Sequence, residues 1–226
     1  MIFNAEMVRA ILDGRKTQTR RIMKPQPEKI PPENEYGEPG YWVPFNAGRT
    51  MVRNDDMGIA CPFGSRGDRI WVRETFACLG NEDGCAIDWN DNLVKGGGPE
   101  AARIYRASCE QKPGNYGLWS IPGDAFWKPH TDDMQYEGAW VPSIHMPRWA
   151  SRITLEITGV RVERLASITD EDAGKEGYPA DPTPFGGRMD KWLWFRQLWD
   201  GIYPEQSFKH NPWVWVIEFK RIDGDA

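Results

Sequence analysis

An alternating segment constrains the fold of this chain more than any other feature of its sequence. Over residues 152–164, RITLEITGVRVER, apolar and polar side chains alternate on both sides of Gly159. A period of two is typical of a β-strand, so the segment predicts one long strand or two strands joined at the glycine. Further strands are predicted at residues 69–76, which are rich in β-branched and aromatic side chains, and at residues 213–221, where tryptophan alternates with valine.

Two shorter segments carry the residues that begin and end helices. Residues 5–13 follow Asn4, a good N-cap, and stop at Gly14, so they predict a short amphipathic helix. Thr169 precedes the acidic run DED, which suits the positive end of a helix dipole. Gly177 then ends the short helix that this pattern predicts.

A third helix is predicted over residues 189–200. The large side chains that recur there at helical spacing are Trp192, Phe195, Trp199 and Ile202. This spacing is typical of a buried stripe and not of a surface on which bases stack. Most of the chain's 12 tryptophans are therefore assigned to packing.

The remaining stretches are rich in proline and glycine. From Pro25 to Arg66 regular elements are not expected, residues 78–140 contain the strand candidate ARIYRA, and the basic segment RKTQTRR after the first helix is interpreted as a loop. A few strands with helices between them indicate an α+β fold built on a small, partly open β-barrel. We expect a single domain over residues 1–226, with insertions at about 28–65 and 78–140.

Charge is unevenly distributed along the chain. The formal net charge of −5 argues against indiscriminate binding of duplex nucleic acid. Two basic clusters are nevertheless present, comprising Arg15, Lys16, Arg20, Arg21 and Lys24, and then Arg148, Arg152, Arg161 and Arg164. They indicate a confined anionic ligand such as a nucleotide or a short single strand. The alternative is that both clusters are solvated faces of a helix end and a strand.

Other sequence features argue against a membrane, a metal ion and a cofactor. Mean hydropathy is −0.64 and no apolar run approaches eighteen residues, so no membrane span is expected. The start of the chain carries no cleavage signal, which favours a cytoplasmic location. The cysteines form no CxxC pair and do not combine with the histidines in a known ligand spacing, so reduced thiols and no metal are predicted.

Five blocks of the sequence carry a family resemblance. In chain order they are ILDGRKTQTRR, GDRIWVRETF, ITLEITGVRVERL, ITDEDAGKEGY and IYPEQSFKHNPWVWVIEFKRI. Their residues and order resemble the ASCH domain family, which implies a PUA-like β-barrel. Within that family the chain resembles the larger prophage-associated ASCH proteins and the small bacterial 4-acetylcytidine amidohydrolases.

The resemblance to the amidohydrolases implies a catalytic site of Lys16, Thr19 and Glu176. The motif GRKT-x-T supplies the lysine and the threonine, and the block EDAGKEGY supplies the glutamate. In this hypothesis Lys16, with its pKa lowered by burial and by neighbouring arginines, takes the proton of the Thr19 hydroxyl. Glu176 orients the lysine or gives a proton to the leaving amine. The side chains expected to bind the nucleic acid or substrate are Arg15, Arg20, Arg21, His145, Arg148 and Trp149.

Several functions are compatible with these residues. The first is hydrolysis of an amide on an N-acylated cytosine nucleoside, which requires the three catalytic side chains to meet in one cleft. The second is an RNA or DNA reader module that holds a base without chemistry. A third is an ASCH-type ribonuclease, with Lys16 and Arg20 stabilising the charge that develops on the phosphate. A structural role in a phage particle is less favoured, because no segment resembles coat or tail proteins.

Overall fold

The computed structural model describes residues 1–29, 41–43, 52–53, 61–74, 76–78, 85–88, 92–95, 103–105, 141–180 and 190–222. The chain divides into two compact units that alternate along the sequence. The first unit contains Met1–Arg9 and Trp71–Thr154, and the second contains Ala10–Ile70 and Leu155–Ile222. The single domain with insertions at about 28–65 and 78–140 stays a prediction.

The three predicted helices are confirmed. They are α1 (Ala5–Leu12), α2 (Asp170–Lys175) and α3 (Asp190–Ile202). The side-chain oxygens of Asn4 and Thr169 accept hydrogen bonds from backbone N–H groups in the first turns of α1 and α2, at 2.8 and 3.1 Å. These caps satisfy donors that a helix leaves without an internal partner, which explains where both helices begin.

The strands are β1 (Gln18–Ile22), β2 (Glu28–Lys29), β3 (Tyr41–Val43), β4 (Val52–Arg53), β5 (Arg69–Trp71), β6 (Phe76–Cys78), β7 (Arg103–Tyr105), β8 (Thr154–Arg164) and β9 (Trp213–Ile222). Four of them form a curled antiparallel sheet in the order β1-β9-β8-β5. Strands β2, β3 and β4 form a second sheet, and β6 pairs with β7. The fold is thus mixed α+β, and the curled sheet resembles half of a barrel.

The structure corrects three predictions about where strands lie in the chain. The segment RKTQTRR is not a loop, because its second half enters β1 and pairs with β9 from Gln18↔Glu218 to Ile22↔Val214. The strand predicted over 69–76 is interrupted, because β5 ends at Trp71 and residues 76–78 pair with β7 instead. The region from Pro25 to Arg66, where no regular element was expected, contains β2, β3 and β4.

Other strand predictions are confirmed. The alternating segment forms one continuous strand, β8, so Gly159 does not divide it. The chain also forms β9 and β7 where the tryptophan-valine alternation and the block ARIYRA predict strands.

The core of the second unit lies where α2 and α3 pack with β1 and β9. Its buried residues are Ile22, Leu165, Ile168, Ala173, Phe195, Trp199, Phe208, Val214 and Val216. Phe195 and Trp199 confirm the predicted buried stripe of α3, but Ile202 is 42% exposed and does not belong to it. Because Val214 to Ile217 are all buried, β9 contributes apolar side chains on both of its faces.

The first unit has a smaller core. Phe76, Met146 and Ala150 are buried together, and the partly buried Trp71 and Trp149 pack against them. Among the described residues, no helix combines enough length with enough apolar character to cross a membrane.

Candidate active site

Backbone hydrogen bonds join the start of β1 to the ends of α1 and α2. The N–H of Lys16 donates to the carbonyl of Ala10 at 2.9 Å, and the N–H of Thr17 donates to the carbonyl of Lys175 at 2.9 Å. Lys16 and Glu176 therefore face each other as an isolated antiparallel bridge. Two residues that are 160 positions apart in sequence are held together by main-chain contacts before any side chain is considered.

A glycine is required beside this bridge. Gly177 has φ +104°, a conformation that side-chain-bearing residues rarely adopt. A Cβ built at this position would lie 3.0 Å from the Ala10 Cβ and 3.3 Å from the Lys16 Cβ. The glycine that ends α2 thus allows the close approach of Lys16.

The side chain of Lys16 is fully buried against Glu176. Its Nζ lies 2.8 Å from Glu176 Oε2, 2.8 Å from the Glu176 carbonyl oxygen and 2.9 Å from the Gln18 carbonyl oxygen. Three acceptors match the three N–H bonds of an ammonium group. Burial lowers the pKa of Lys16 and the Glu176 carboxylate opposes this effect, while the charges of Arg21 and Arg20 add to the lowering. We call Lys16 and Glu176 the buried pair.

Arg20 is the second cation that contacts Glu176. Its side chain has no exposed surface, and its Nη1 donates to Glu176 Oε1 at 3.0 Å and to Gln18 Oε1 at 2.8 Å. Its Nη2 contacts Glu163 and Asp172 at 3.2 and 3.4 Å. The two carboxylate oxygens of Glu176 therefore bind two different cations.

Arg161 is a third cation in this region, and it lies nearer the surface than Arg20 does. Arg161 on β8 is 34% exposed and donates to carboxylate oxygens of Glu163, Asp172 and Glu218. It forms no ion pair or hydrogen bond with Glu176. Arg161 thus shares the carboxylate partners of Arg20 without touching the buried pair.

Thr19 is separated from the buried pair by the geometry of β1. Successive side chains of a strand point to opposite faces, so Thr19 lies on the face opposite to Gln18 and Arg20. It is buried there at 3% exposure, beside its cross-strand neighbour Ile217. The structure brings Lys16 and Glu176 together but gives Thr19 no hydrogen bond to either, and its catalytic role stays a prediction.

The other basic residues of the segment RKTQTRR differ in their surroundings. Arg15 Nη1 donates to the carbonyl oxygen of Tyr178 at 2.8 Å, and its Nη2 pairs with Asp13 at 2.8 Å. Arg15 therefore holds the turn after α2. Arg21 is half-buried on the face of β1 opposite to Arg20. The expectation that Arg20 contacts nucleic acid does not fit its structure, because the side chain is enclosed by internal carboxylates.

The remaining predicted binding residues belong to the first unit. His145 is exposed at the end of the 3-10 turn Ser143–His145. Arg148 is exposed, with its Nη2 3.2 Å from Thr154 Oγ1. Trp149 is half-buried and packs edge-on against Phe76 with ring centroids 6.5 Å apart. Of these three residues, His145 and Arg148 are open to a ligand, whereas Trp149 has a packing contact.

Sequence reasoning missed the polar side chains that surround the buried pair. The sequence predicts a loop at Gln18, a polar strand position at Glu163 and a helix-dipole residue at Asp172. The available signal was charge alternation in β8, where Arg161 and Glu163 lie two residues apart and share one face. Their partners come from distant segments, so their role became visible only in the folded chain.

Comparisons of the chain with protein-family models, with curated proteins and with solved structures gave no match. Within the described part of the chain, no group of three His, Cys, Asp or Glu side chains is arranged to hold a metal ion. Function is therefore inferred from the geometry of the buried pair and its neighbours.

The lowered pKa of Lys16 predicts how pH affects stability. Between this lowered pKa and the ordinary value of 10.5, the folded state binds fewer protons at Lys16 than the unfolded state does. The destabilisation from this site is therefore complete below the lowered pKa and is relieved as pH rises towards 10.5. In urea unfolding, we expect the stability difference between the native chain and Lys16→Met to move in favour of the native chain over this range. A move in favour of Lys16→Met would contradict the direction of the pKa shift.

Proposed function

We propose that this chain is an ASCH-type protein with a PUA-like, partly open barrel, which binds a nucleobase or single-stranded nucleic acid and hydrolyses the amide of an N-acylated cytosine nucleoside. The observation that carries the proposal is the 2.8 Å contact between Lys16 Nζ and Glu176 Oε2. The resemblance to the amidohydrolases implies these two distant residues as partners. A buried ion pair is costly in free energy, and such pairs with perturbed pKa values cluster at functional sites. The proposal includes a cytoplasmic location and no cofactor.

We assign acid and base roles within the buried pair as part of this proposal. Lys16 donates three hydrogen bonds and is the acid, whereas Glu176 accepts from two cations and is the base. This reverses the hypothesis from sequence, in which Lys16 was the base. The carboxylate of Glu176 accepts a proton from the attacking hydroxyl group, which is water in the simplest scheme.

The reaction then balances as an ordinary amide hydrolysis. The oxygen of water bonds to the acyl carbon while the Lys16 ammonium hydrogen-bonds to the developing oxyanion. The C–N bond breaks, the nitrogen receives a proton from Lys16, and the proton taken by Glu176 returns to Lys16. The products are a carboxylic acid and a cytosine nucleoside with a free amino group. For this to occur, the substrate carbonyl must replace one of the three acceptors that Lys16 has in the structure.

The position of Thr19 gives a prediction that separates water from threonine as the nucleophile. Because Thr19 lies on the face of β1 opposite to Arg20, we expect Thr19→Val to reduce kcat for 4-acetylcytidine far less than Lys16→Met does. The two variants are compared by steady-state release of cytidine. A loss in Thr19→Val as large as that in Lys16→Met would support the threonine nucleophile that the resemblance implies.

The most direct test of the proposed function is a substrate screen. The protein is incubated with 4-acetylcytidine, with cytidines that carry longer acyl groups, and with unmodified cytidine, and the products are identified by mass spectrometry. We expect release of cytidine and the matching carboxylic acid from one or more acylated substrates. The proposal fails if no acylated cytidine is hydrolysed at a rate above the reaction without protein.

A reader module is the second candidate function, and one observation favours it. All three N–H bonds of Lys16 donate to acceptors within the chain. The buried pair is therefore complete without a substrate, as expected of a structural contact. In a reader the buried pair holds β1 against α2, and binding depends on basic side chains nearer the surface. Arg21 and Arg148 are the candidates for this role.

Phosphate contacts by these arginines predict a change in salt dependence. Each phosphate contact of a single strand contributes a slope of about −0.7 to the dependence of log K on log salt concentration. We expect Arg148→Gln and Arg21→Gln each to weaken binding of a single-stranded oligonucleotide and to reduce the magnitude of the slope by about 0.7. Lys220→Gln, which removes an exposed cation paired with Glu156, serves as the control. An unchanged slope in both arginine variants would exclude these side chains from the interface.

A further inference from the structure

Arg20 is a charged side chain enclosed by acceptors of the chain itself. It has no exposed side-chain surface, and its two Nη atoms contact Gln18, Glu163, Asp172 and Glu176. Removing a guanidinium from water is expensive unless carboxylates and other acceptors compensate for it. The surrounding acceptors come from β1, β8 and α2, so three elements fix the position of one side chain.

We propose that Arg20 is a positioning residue that keeps the Glu176 carboxylate aimed at Lys16. The inference rests on the proposed function of the buried pair and adds Arg20 to it. Arg20 acts through Glu176 and does not touch the substrate.

Hydrogen-bond geometry supports the aiming role. Glu176 Oε1 accepts from Arg20 at 3.0 Å while Oε2 accepts from Lys16 at 2.8 Å, so rotation of the carboxylate would weaken both contacts. Arg20 and Gln18 lie on the same face of β1, and the backbone carbonyl of Gln18 is an acceptor for Lys16. One short stretch of chain thus positions both members of the buried pair.

Charge adds an effect on Lys16. The positive charge of Arg20 makes the ammonium form of Lys16 less favourable, in addition to the larger effect of burial on the pKa of Lys16. Arg20 therefore makes Lys16 a better proton donor while it orients Glu176.

A test of this inference follows the orientation of Glu176 and does not depend on activity. Crystal structures of the native chain, Arg20→Gln and Arg20→Lys are compared at the contact between Glu176 Oε2 and Lys16 Nζ, which is 2.8 Å in the native chain. In Arg20→Gln we expect the carboxylate to rotate and this contact to be lost, because Oε1 no longer binds a cation. In Arg20→Lys, which keeps the charge, the contact should be kept in part.

A matched control removes a guanidinium from the same surroundings. Arg161→Gln breaks contacts with Glu163 and Asp172, which Arg20 also uses, but touches no atom of Glu176. We expect it to disturb the orientation of Glu176 and to lower kcat much less than Arg20→Gln does.

Kinetics supply the second measurement. Arg20→Gln should lower kcat for 4-acetylcytidine by about 10-fold or more, with KM changed much less. Arg20→Lys should restore kcat in part.

The outcomes distinguish this inference from the proposed function. A Glu176 carboxylate that keeps its orientation in Arg20→Gln, or that is disturbed as much in Arg161→Gln, overturns the positioning role even if the native chain is active. A rotated carboxylate in Arg20→Gln, in a chain that hydrolyses no acylated cytidine, supports the control of Glu176 by Arg20 and removes the hydrolase. If Arg20→Gln does not fold, Arg20→Lys carries the test, and an unchanged contact between Glu176 and Lys16 with unchanged kcat overturns the need for the guanidinium.

Discussion

Lys16→Met is expected to lower the rate of amide hydrolysis by at least about 100-fold, since a positioned acid or base contributes a factor of about 100 to 10,000. Methionine has a similar length but no charge and no N–H donor, so the developing oxyanion and the leaving nitrogen lose their partner. The same substitution leaves Glu176 buried with Arg20 as its remaining cation. We therefore also expect a loss of about 3 kcal/mol in the free energy of unfolding, which is typical of a buried ion pair that loses one member. Product release and urea unfolding measure the two effects.

A double variant separates catalysis from stability at this site. In Lys16→Met/Glu176→Leu both charges of the buried pair are removed, and Arg20 keeps Glu163 and Asp172 as partners. Replacing a buried ion pair by apolar side chains is often neutral or stabilising, so the double variant should recover most of the lost stability. It should recover no activity. If Lys16→Met retained activity within about 10-fold of the native chain, the lysine would not be the general acid.

Arg152→Met is expected to destabilise the first unit by about 3 to 5 kcal/mol, because it leaves a buried carboxylate without its cation. Glu74 is 1% exposed, and both of its oxygens accept from Arg152 at 2.9 Å. This bidentate contact ties the residues after β5 to the residues before β8. Urea unfolding of the full chain measures the change.

An exposed ion pair provides the control for this prediction. Lys220 and Glu156 are 3.0 Å apart, with side-chain exposures of 58% and 32%. Solvent screening makes such pairs worth less than about 1 kcal/mol, so Lys220→Met should change stability little. A similar small change in Arg152→Met would contradict a buried ion pair between Glu74 and Arg152.

The parts of the fold that could be predicted from sequence are those in which local pattern and burial agree. The alternation in β8, the capping of α2 by Thr169 and the apolar spacing of α3 arise from neighbouring residues, and the structure has these elements. The segment that became β1 was interpreted as a loop because its charged side chains conceal the alternation of a strand. Only the pairing with β9 and the carboxylates around Arg20 make a buried arginine possible there.

The candidate site, like the fold, could be predicted from the sequence only in part. The family resemblance selected Lys16 and Glu176, and the folded chain places them in contact. The role of Arg20 could not be predicted, because it depends on side chains of β8 and α2 that lie far away in sequence. Thr19 is separated from the buried pair by the strand geometry of β1. This separation could not be predicted while the segment was interpreted as a loop.

The proposed catalytic centre for amide hydrolysis is the contact between Lys16 and Glu176. It is tested by the release of cytidine and acetate from 4-acetylcytidine by the native chain and by Lys16→Met, followed by mass spectrometry under identical conditions. We expect matched release of both products by the native chain and a loss of at least about 100-fold in the variant. Equal rates for the two proteins, or no release by the native chain from any acylated cytidine, would contradict it.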